Sequence, residues 1–209
     1  MSTDNAMLYT LERHLLEDER PSEYLLPLSQ TREFAAYPLV MLKRLADTEQ
    51  SPIHHPEGSV WNHTLLVVDE AARVKEKSRN ARAFMWAALL HDTGKPATTR
   101  VRKDKITAYN HDRAGAELAA KFLSCFTDDI GLIDAVRHLV RYHMHILYVV
   151  NGLPFADIEG MKRHTDITEV ALLGLCDRLG RTGADRAKEE ENIRRFLARC
   201  TQSDNLRKL

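Results

Sequence analysis

The sequence predicts an all-α fold, a single-domain helical bundle with at most one short hairpin. Apolar residues recur at helical i, i+3, i+4 spacing in nearly every patterned segment. The chain has 209 residues, of which 44% are hydrophobic, enough for one sizeable packed domain. It contains no internal repeat and no low-complexity tract. Both tryptophans, Trp61 and Trp86, are expected in the core.

Two helices are predicted in the first fifty residues. Apolar residues from Met7 to Leu15 keep helical spacing behind Asp4, a residue suited to capping, and the helix should end before Pro21. The second helix is predicted to begin at Pro38, because proline is favourable in the first helical turn.

The middle of the chain predicts two further helices after a loop at residues 50–59 that contains proline and glycine. An amphipathic helix is expected over Trp61–Lys77. Asn80 should cap the next helix, Ala81–His91, and Gly94 is expected to end it.

The remaining segments predict a hairpin followed by more helices. The hairpin is expected within Thr98–Tyr109, with its turn at Lys103-Asp104. Asp166 or Thr165 should cap a later helix, with Glu169 placed for a capping box. The predicted helices are Asp112–Phe126, Asp129–His143, Asp166–Leu179 and Ala184–Cys200.

Charge and cysteine content exclude several classes of function. Thirty basic residues balance thirty acidic ones, which argues against wrapping a long nucleic-acid duplex but permits a small phosphorylated ligand or an RNA end. Cys125, Cys176 and Cys200 lack CxxC spacing, so neither a disulfide framework nor a thiolate zinc site is expected.

The sequence shows no targeting or membrane-spanning signal. Residues Met1–Tyr9 are polar and lack an apolar signal core. No segment approaches the roughly eighteen consecutive apolar residues of a transmembrane helix. A soluble cytoplasmic protein without a membrane partner is therefore expected.

The motif that carries chemistry is His91-Asp92, followed by Thr93-Gly94-Lys95-Pro96. The dipeptide alone is weak, since a second pair, His111-Asp112, occurs in the same chain. Its position at the end of an apolar helix is more specific, because side chains at a helix terminus can converge on one point. Lys95 is close enough in sequence to reach a phosphate there, although a solvated helix cap is the alternative.

Two further residues favour a metal site. His63 lies on the otherwise apolar side of its predicted helix, and Asp177 lies on the core-facing stripe of a later one. A carboxylate on a buried face is costly unless it is paired or binds a metal. Imidazole with carboxylate suits Mn, Fe, Co, Ni or Zn. The alternatives are an ordinary interior or surface histidine and an Asp177–Arg178 surface pair.

Five segments resemble the HD superfamily of phosphohydrolases: PEGSVWNHTLLVVDEAA, AALLHDTGKP, YNHDRAGAELAAKFL, LVRYHM and LLGLCDRLGR. They are most similar to the HD domain attached to bacterial CCA-adding tRNA nucleotidyltransferases. The resemblance implies an HD metal-binding domain over 51–182, flanked by an N-terminal helical extension packed on the core (1–50) and a C-terminal helix and tail (183–209). No paired-carboxylate polymerase motif is visible, so CCA addition itself is not implied.

The resemblance also implies a ligand set for one or two divalent transition metal ions. The residues at the family's metal-binding positions are His63, His91, Asp92 and Asp177. Members with two metals add two histidines, whose places are taken here by His111 and His143. Nearby competitors for the second place are His138 and His145.

The implied activity is hydrolysis of a phosphomonoester or cyclic phosphodiester, of a nucleotide or an RNA end. Asp92 would bridge the ions, while Lys95 and Arg141 would neutralise charge on the phosphoryl oxygens; for Arg141 too the alternative is a solvated cap. The alternatives are a di-iron oxygenase on the same scaffold and a non-catalytic metal- or nucleotide-binding regulatory domain. The sequence leaves the oligomeric state open.

Weaker expectations concern residues around the site. The loop residues His54, His55 and Glu57 are candidates to support the ligands or to line a pocket wall, although the alternative is that the histidines are exposed, as loop histidines are by default. Tyr142 and Tyr148 are candidates for stacking on a base, although their spacing does not require it.

Overall fold

The computed structural model describes residues 3–103 and 105–205. These residues form α-helices joined by short turns, together with one two-stranded hairpin, which confirms the all-α prediction. Among the described residues, no helix has both the length and the apolar character that crossing a membrane requires.

The helices and strands follow one another along the chain with short connections. The helices are α1 Thr3–Glu17, α2 Ser22–Leu28, α3 Val40–Ala46, α4 Val60–Ala72, α5 Ala81–Leu90, α6 Lys95–Thr98, α7 His111–Leu123, α8 Ile130–Tyr142, α9 His145–Val150, α10 Ile158–His164, α11 Ile167–Leu179 and α12 Arg186–Asn205. The strands are β1 Thr99–Arg102 and β2 Lys105–Ala108. Single 3-10 turns lie at Glu33–Ala35 and Lys75–Lys77.

The core lies around α4, α5 and α11, whose apolar faces meet in the middle of the bundle. Helix α5 is buried almost all round, and α8 packs against it on the side that leads to α7. Trp61 and Trp86 are each only 3% exposed, which confirms their place in the core. Burial of apolar surface dominates the stability of such bundles. The packed core therefore holds the ends of α4, α5 and α11 in fixed positions.

Gly94 sets how closely the turn after α5 approaches α7. A Cβ at Gly94 would lie 2.1 Å from the carbonyl oxygen of His111 and 2.6 Å from the backbone nitrogen of Gly115. Helix α5 already ends at Leu90, and Gly94 has a φ of −78°, so the predicted role of Gly94 in ending the helix is wrong. The residue is small because two backbone segments meet there.

Helix boundaries differ from the predictions at several places. Helix α7 ends at Leu123 instead of Phe126, and α12 covers Arg186–Asn205 instead of Ala184–Cys200. Within the described residues α1 begins at Thr3, so Asp4 lies inside the helix. Residues 37–39 form a turn, and the second predicted helix therefore begins at Val40. Helix α4 ends at Ala72, where its buried stripe stops, and the polar residues up to Lys77 form a 3-10 turn.

Capping is as predicted at Asn80 and Asp166 but not at Glu169. The Asn80 side chain accepts from Ala83 N–H at 3.0 Å, and Asp166 accepts from Thr168 N–H at 2.8 Å. The Glu169 carboxylate instead accepts from Ser78 Oγ at 2.6 Å and from the Arg79 N–H at 2.9 Å. A tertiary contact has replaced the capping box and ties α11 to the turn before α5.

Four short helices, α2, α6, α9 and α10, were not predicted. Each has four to seven residues, too few to show a helical period clearly. At the N-terminus of α2, Ser22 donates to the Asp69 carboxylate through both its backbone N–H and its hydroxyl, at 3.0 and 2.6 Å. Tertiary contacts of this kind stabilise helices that are too short to form alone.

The predicted hairpin is confirmed. Strands β1 and β2 are antiparallel, with Arg102 opposite Lys105 and Arg100 opposite Thr107. Lys103 adopts a φ of 46° in the turn, and Asp104 lies outside the described residues.

Candidate metal centre

Six predicted ligands from five segments meet at one end of the bundle. All are at least 93% buried. They are His63 in α4, His91 and Asp92 in the turn after α5, His111 at the start of α7, His143 directly after α8, and Asp177 in α11. The six residues lie up to 114 positions apart in sequence, so the fold brings them together.

Three of the histidines are oriented by the same kind of local hydrogen bond. The Nδ1 atoms of His91, His111 and His143 lie 2.8, 2.6 and 2.6 Å from the carbonyl oxygen of the residue three positions earlier. Since a carbonyl only accepts, each Nδ1 carries the proton and each Nε2 keeps its lone pair. Fixing the outer nitrogen in this way is typical of metal-binding histidines.

Asp92 lies between these imidazoles. Its Oδ1 is 3.4 Å from His111 Nε2 and 3.9 Å from His143 Nε2, and its Oδ2 is 3.2 Å from His91 Nε2. The Nε2 atoms of His111 and His143 are 3.3 Å apart. Because both carry lone pairs, neither can donate to the other, and a cation beside them would favour this arrangement.

His63 has different partners. Its Nε2 lies 3.0 Å from Asp177 Oδ1, and its Nδ1 lies 2.9 Å from Glu57 Oε1. The second contact has ion-pair distance but poor hydrogen-bond alignment. Burial lowers the pKa of His63, but the two carboxylates outweigh it and leave the pKa raised.

The electrostatics keep the carboxylates charged and two imidazoles neutral. Burial opposes ionisation of Asp92, but His91 and Lys95 hold its pKa well below the ordinary value. Burial lowers the pKa of His111, and that of His143 to about 4. Neutral imidazole and ionised carboxylate are the forms that bind a metal ion.

Several atoms of the cluster have no hydrogen-bond partner among the described residues. They are His63 Nδ1, His91 Nε2 and Asp92 Oδ2, all fully buried. Buried polar atoms are nearly always hydrogen-bonded, whereas these three have only ion-pair contacts, with Glu57, Asp92 and Lys95, at 2.7–3.2 Å. The ligand atoms of His63, His91 and Asp92 lie within 4.8 Å of one another, as do those of Asp92, His111 and His143. These two sets are compatible with the binding of a divalent metal ion.

The two predicted phosphate contacts lie in different surroundings. Lys95 Nζ lies 2.7 Å from Asp92 Oδ2 and donates to Gln50 Oε1 at 2.6 Å, so the ammonium belongs to the cluster and is not a solvated cap. Arg141 Nη1 donates to Asp112 Oδ2 at 2.6 Å on the wall of the adjoining cleft. Arg141 is therefore paired outside the cluster.

His138 and His145, the competitors of His143, do not join the cluster. His138 stacks on His164 with ring centroids 4.8 Å apart, and His145 Nε2 accepts from the Asp157 N–H at 3.1 Å. The structure thus brings His143 beside Asp92 and leaves the other two elsewhere.

Two of the three residues predicted in the loop before α4, His55 and Glu57, lie beside the cluster. His55 Nδ1 lies 2.9 Å from Glu57 Oε1, the oxygen that also faces His63, and the Glu57 side chain is only 4% exposed. Its other oxygen, Oε2, accepts from the Thr182 N–H at 3.2 Å. His54 is exposed and only lines the cleft.

Sequence reasoning missed Arg181 and Gln50. Arg181 Nη2 lies 3.7 Å from Asp177 Oδ1 at i, i+4 spacing, a signal that was present in the sequence. Arg178, the alternative partner of Asp177, instead donates to Glu189 Oε2 at 2.8 Å. Gln50 lies 45 residues from Lys95, and no local pattern indicates that the two side chains meet.

The cluster opens into a cleft of about 830 Å³, within the size range of sites for small organic ligands. Cationic side chains that line it include Lys95, Lys105, Arg113, Arg141 and Arg181. Aromatic side chains at its wall are Tyr109, Tyr148 and Phe155. Tyr142, by contrast, is only 4% exposed, so it cannot act as a stacking surface as the structure stands.

The fold and the cluster agree with the family comparison. Residues 60–182, more than half of the chain, match the family described as HD domain. The chain therefore belongs to the HD domain family, which confirms the predicted resemblance.

Individual relatives carry the name multifunctional CCA protein. The protein from Actinobacillus pleuropneumoniae serotype 5b (strain L20) is 34% identical over 103 residues, which are 49% of this chain and 24% of the relative. The protein from Aromatoleum aromaticum is 39% identical over 180 residues, 83% of this chain and 42% of the relative. The chain thus spans less than half the length of the two relatives.

Proposed function

We propose that the protein is a metal-dependent phosphohydrolase that acts on a phosphomonoester or cyclic phosphodiester of a nucleotide or an RNA end. The observation that carries this proposal is the surroundings of Asp92. Imidazole nitrogens lie near its two oxygens from three directions, and Lys95 lies 2.7 Å from the same carboxylate in a cleft whose lining includes further cations.

The ligand roles rest on the two compact sets and on Asp177, whose Oδ1 lies 3.0 Å from His63 Nε2. We assign one divalent ion to four residues: His63, His91, Asp92 and Asp177. A second ion would be held by His111 and His143 together with Asp92. A divalent ion in such a site lowers the pKa of bound water and polarises phosphoryl oxygens.

The remaining roles belong to side chains that do not bind metal. Lys95 donates to a non-bridging phosphoryl oxygen and offsets the charge that develops there, while Gln50 keeps its ammonium in place. Arg141 provides a second cation on the cleft wall, held by Asp112. Glu57 is a positioning residue, because it fixes the His63 ring from the side opposite Asp177.

Cleft size and lining support a nucleotide-sized substrate. A single phosphate would fill a small part of 830 Å³, whereas the remaining wall includes the aromatic rings of Tyr148 and Phe155, 5.6 Å apart. Flat aromatic surfaces beside cations are suited to a base joined to a phosphate.

The test is a hydrolysis panel with controlled metal content. Chelator-treated protein is reconstituted in turn with Mn, Fe, Co, Ni and Zn. It is then assayed on p-nitrophenyl phosphate, on 2′-, 3′- and 5′-nucleotides and on 2′,3′-cyclic nucleotides. We expect turnover of at least one nucleotide class that disappears on chelation and returns with one of the metals. Folded protein that hydrolyses none of these with any of the metals would contradict the proposal.

One observation favours a second candidate, a di-iron oxygenase. That function needs both His111 and His143 as ligands, and their Nε2 atoms do lie together beside Asp92. Dioxygen consumption by the iron-loaded protein, without phosphate release, would select this alternative. Ligand binding without either reaction would indicate a regulatory domain.

A further inference from the structure

The β1–β2 hairpin presents three cations on one face. Residues two apart in a strand share a face, and residues opposite each other in an antiparallel pair also share it. Arg100 and Arg102 of β1 therefore lie on the same face as Lys105 of β2, which is opposite Arg102. All three side chains are exposed. We call these three residues the basic face.

Hairpin stability does not explain the basic face. Like charges directly opposite each other are destabilising in a β-ladder. Within residues 3–103 and 105–205, no carboxylate lies within ion-pair distance of Arg100, Arg102 or Lys105. Arg100 Nη1 donates to the backbone carbonyls of Ala97 and Thr99, contacts that leave its charge uncompensated. Cations held side by side without a carboxylate among the described residues are suited to an external polyanion.

The basic face meets the cleft of the metal centre at Lys105, while Arg100 and Arg102 lie outside the cleft lining. Lys105 lines the cleft, and so does the exposed Arg113, which lies near the start of α7. Tyr109 follows β2 directly, lines the same cleft and is 72% exposed. Cations and an exposed aromatic ring thus lead from the outer hairpin toward the buried histidines.

We propose that the basic face and Tyr109 bind a single-stranded nucleic acid, so that the preferred substrate is the terminal phosphate ester of an oligonucleotide rather than a free mononucleotide. This inference rests on the proposed phosphohydrolase function and names its substrate class. Grooves that bind single strands combine backbone-contacting cations with aromatic rings on which bases stack. The hairpin and Tyr109 supply both elements beside the centre at which the terminal phosphate would react.

The exposed ring of Tyr109 and the adjoining cleft favour this partner over a membrane. Single strands are bound by cations together with aromatic rings, whereas an anionic bilayer needs only clustered cations. Lys105 of the basic face and Tyr109 both line the cleft toward which the end of a strand would lead.

A binding experiment tests the surface without relying on catalysis. A fluorescein-labelled twelve-nucleotide RNA without a terminal phosphate is titrated with chelator-treated protein over a range of salt concentrations. The hairpin variant is Arg100→Thr/Arg102→Thr, because threonine suits a strand. The matched control is Lys43→Ala/Arg44→Ala, which removes two exposed cations from α3.

We expect salt-dependent binding by the parent and the control. Loss of two phosphate contacts should reduce the slope of log K against log salt by about 1.4, at roughly 0.7 per contact with a single strand. Unchanged binding and slope in the hairpin variant, or binding of anionic phosphatidylserine vesicles in place of the oligonucleotide, overturns the inference.

A kinetic comparison separates this inference from the proposed function. We compare kcat/KM for a terminally phosphorylated oligonucleotide and for the corresponding mononucleotide. The parent should prefer the oligonucleotide about tenfold or more, and the hairpin variant should lose most of this preference while it turns over the mononucleotide at the parent rate. Equal kcat/KM for both substrates in the parent contradicts the inference but leaves the proposed function intact. If the protein hydrolyses neither substrate but still binds RNA, the result contradicts the proposed function and supports the inference that the basic face binds nucleic acid.

Discussion

The two sides of Asp92 use the same residue type in opposite electrostatic settings. On one side, backbone carbonyls hold His111 and His143, whose pKa values burial lowers. On the other, His63 lies between the carboxylates of Glu57 and Asp177, which raise its pKa. Burial lowers the pKa of all three imidazoles, and only at His63 do two adjacent carboxylates outweigh it.

This difference has a consequence for metal affinity. A carboxylate behind an imidazole makes that ligand more basic and strengthens its bond to a metal, whereas a carbonyl mainly orients the ring. We therefore expect the His63–Asp177 side to bind its ion more tightly than the His111–His143 side.

The largest expected effect comes from removing the carboxylate ligand Asp177 on the His63–Asp177 side, which we call the tight side. Asp177→Ala should lower the affinity for the more tightly bound ion by about 100-fold or more, since a ligand contributes at least as much as the outer partners whose loss costs 10–100-fold. His143→Ala should lose only the weaker ion. Elemental analysis after gel filtration measures both. If His143→Ala empties both positions while Asp177→Ala keeps both, the predicted order of affinities is reversed.

Replacing Glu57 tests whether the carboxylate behind His63 causes the difference. Glu57→Gln keeps the size of the side chain but removes the charge that faces His63 Nδ1 at 2.9 Å. Metal affinity on the tight side should fall by about 10–100-fold. The control is Glu117→Gln, an exposed residue paired only with Arg137. Equal metal affinity in the two variants would show that Glu57 does not support the site.

Lys95 lies next to Asp92 but is not expected to bind metal. Lys95→Met should leave the metal content unchanged and lower kcat/KM by about one to two orders of magnitude, the loss of one charge-assisted contact of roughly 1.5–3 kcal/mol. Steady-state kinetics with elemental analysis checks both parts. Hydrolysis at the parent rate would leave Lys95 a purely structural partner of Asp92 and Gln50.

His145 extends the comparison to an imidazole outside the cluster. It accepts from a backbone N–H, and burial together with the charge of Arg141 lowers its pKa to about 4. An unfolded histidine binds a proton near pH 6.5, whereas the folded one does so only near pH 4, so stability falls as the pH drops between these values.

Urea unfolding of the chelator-treated protein at pH 7 and pH 5 measures this effect. His145 alone should account for about 1–2 kcal/mol of the loss in unfolding free energy. His145→Gln should therefore show a smaller loss than the parent over the same pH interval. The same loss in both proteins would show that His145 titrates normally.

Local patterns were sufficient to predict most of the long helices and four residues of the cluster, whereas His111 and His143 were predicted only from the resemblance to the HD family. The apolar stripe of α4 left His63 on a buried face, and the stripe of α11 did the same for Asp177. The structure places both there, 3.0 Å apart. Helical periodicity shows which face of a helix is buried. A polar residue on that face indicates a functional site, because its burial is costly unless it is paired or binds a metal.

Contacts between distant segments could not be predicted in the same way. The Gln50–Lys95 hydrogen bond, the link from Glu169 to Ser78 and the close approach at Gly94 each join segments that no sequence period relates. They depend on how helices pack, which a single sequence specifies only through the whole fold. Short helices such as α9 were missed for a similar reason, because they are held by their neighbours.

The central claim is that both sides of the centre share Asp92. The most direct measurement is the metal-to-protein ratio of the Asp92→Asn variant, determined by elemental analysis beside the parent, with circular dichroism to verify the helical fold. The account predicts bound transition metal in the parent, and a variant that keeps its helices but loses metal from both sides together. A folded Asp92→Asn protein with the metal content of the parent would contradict it.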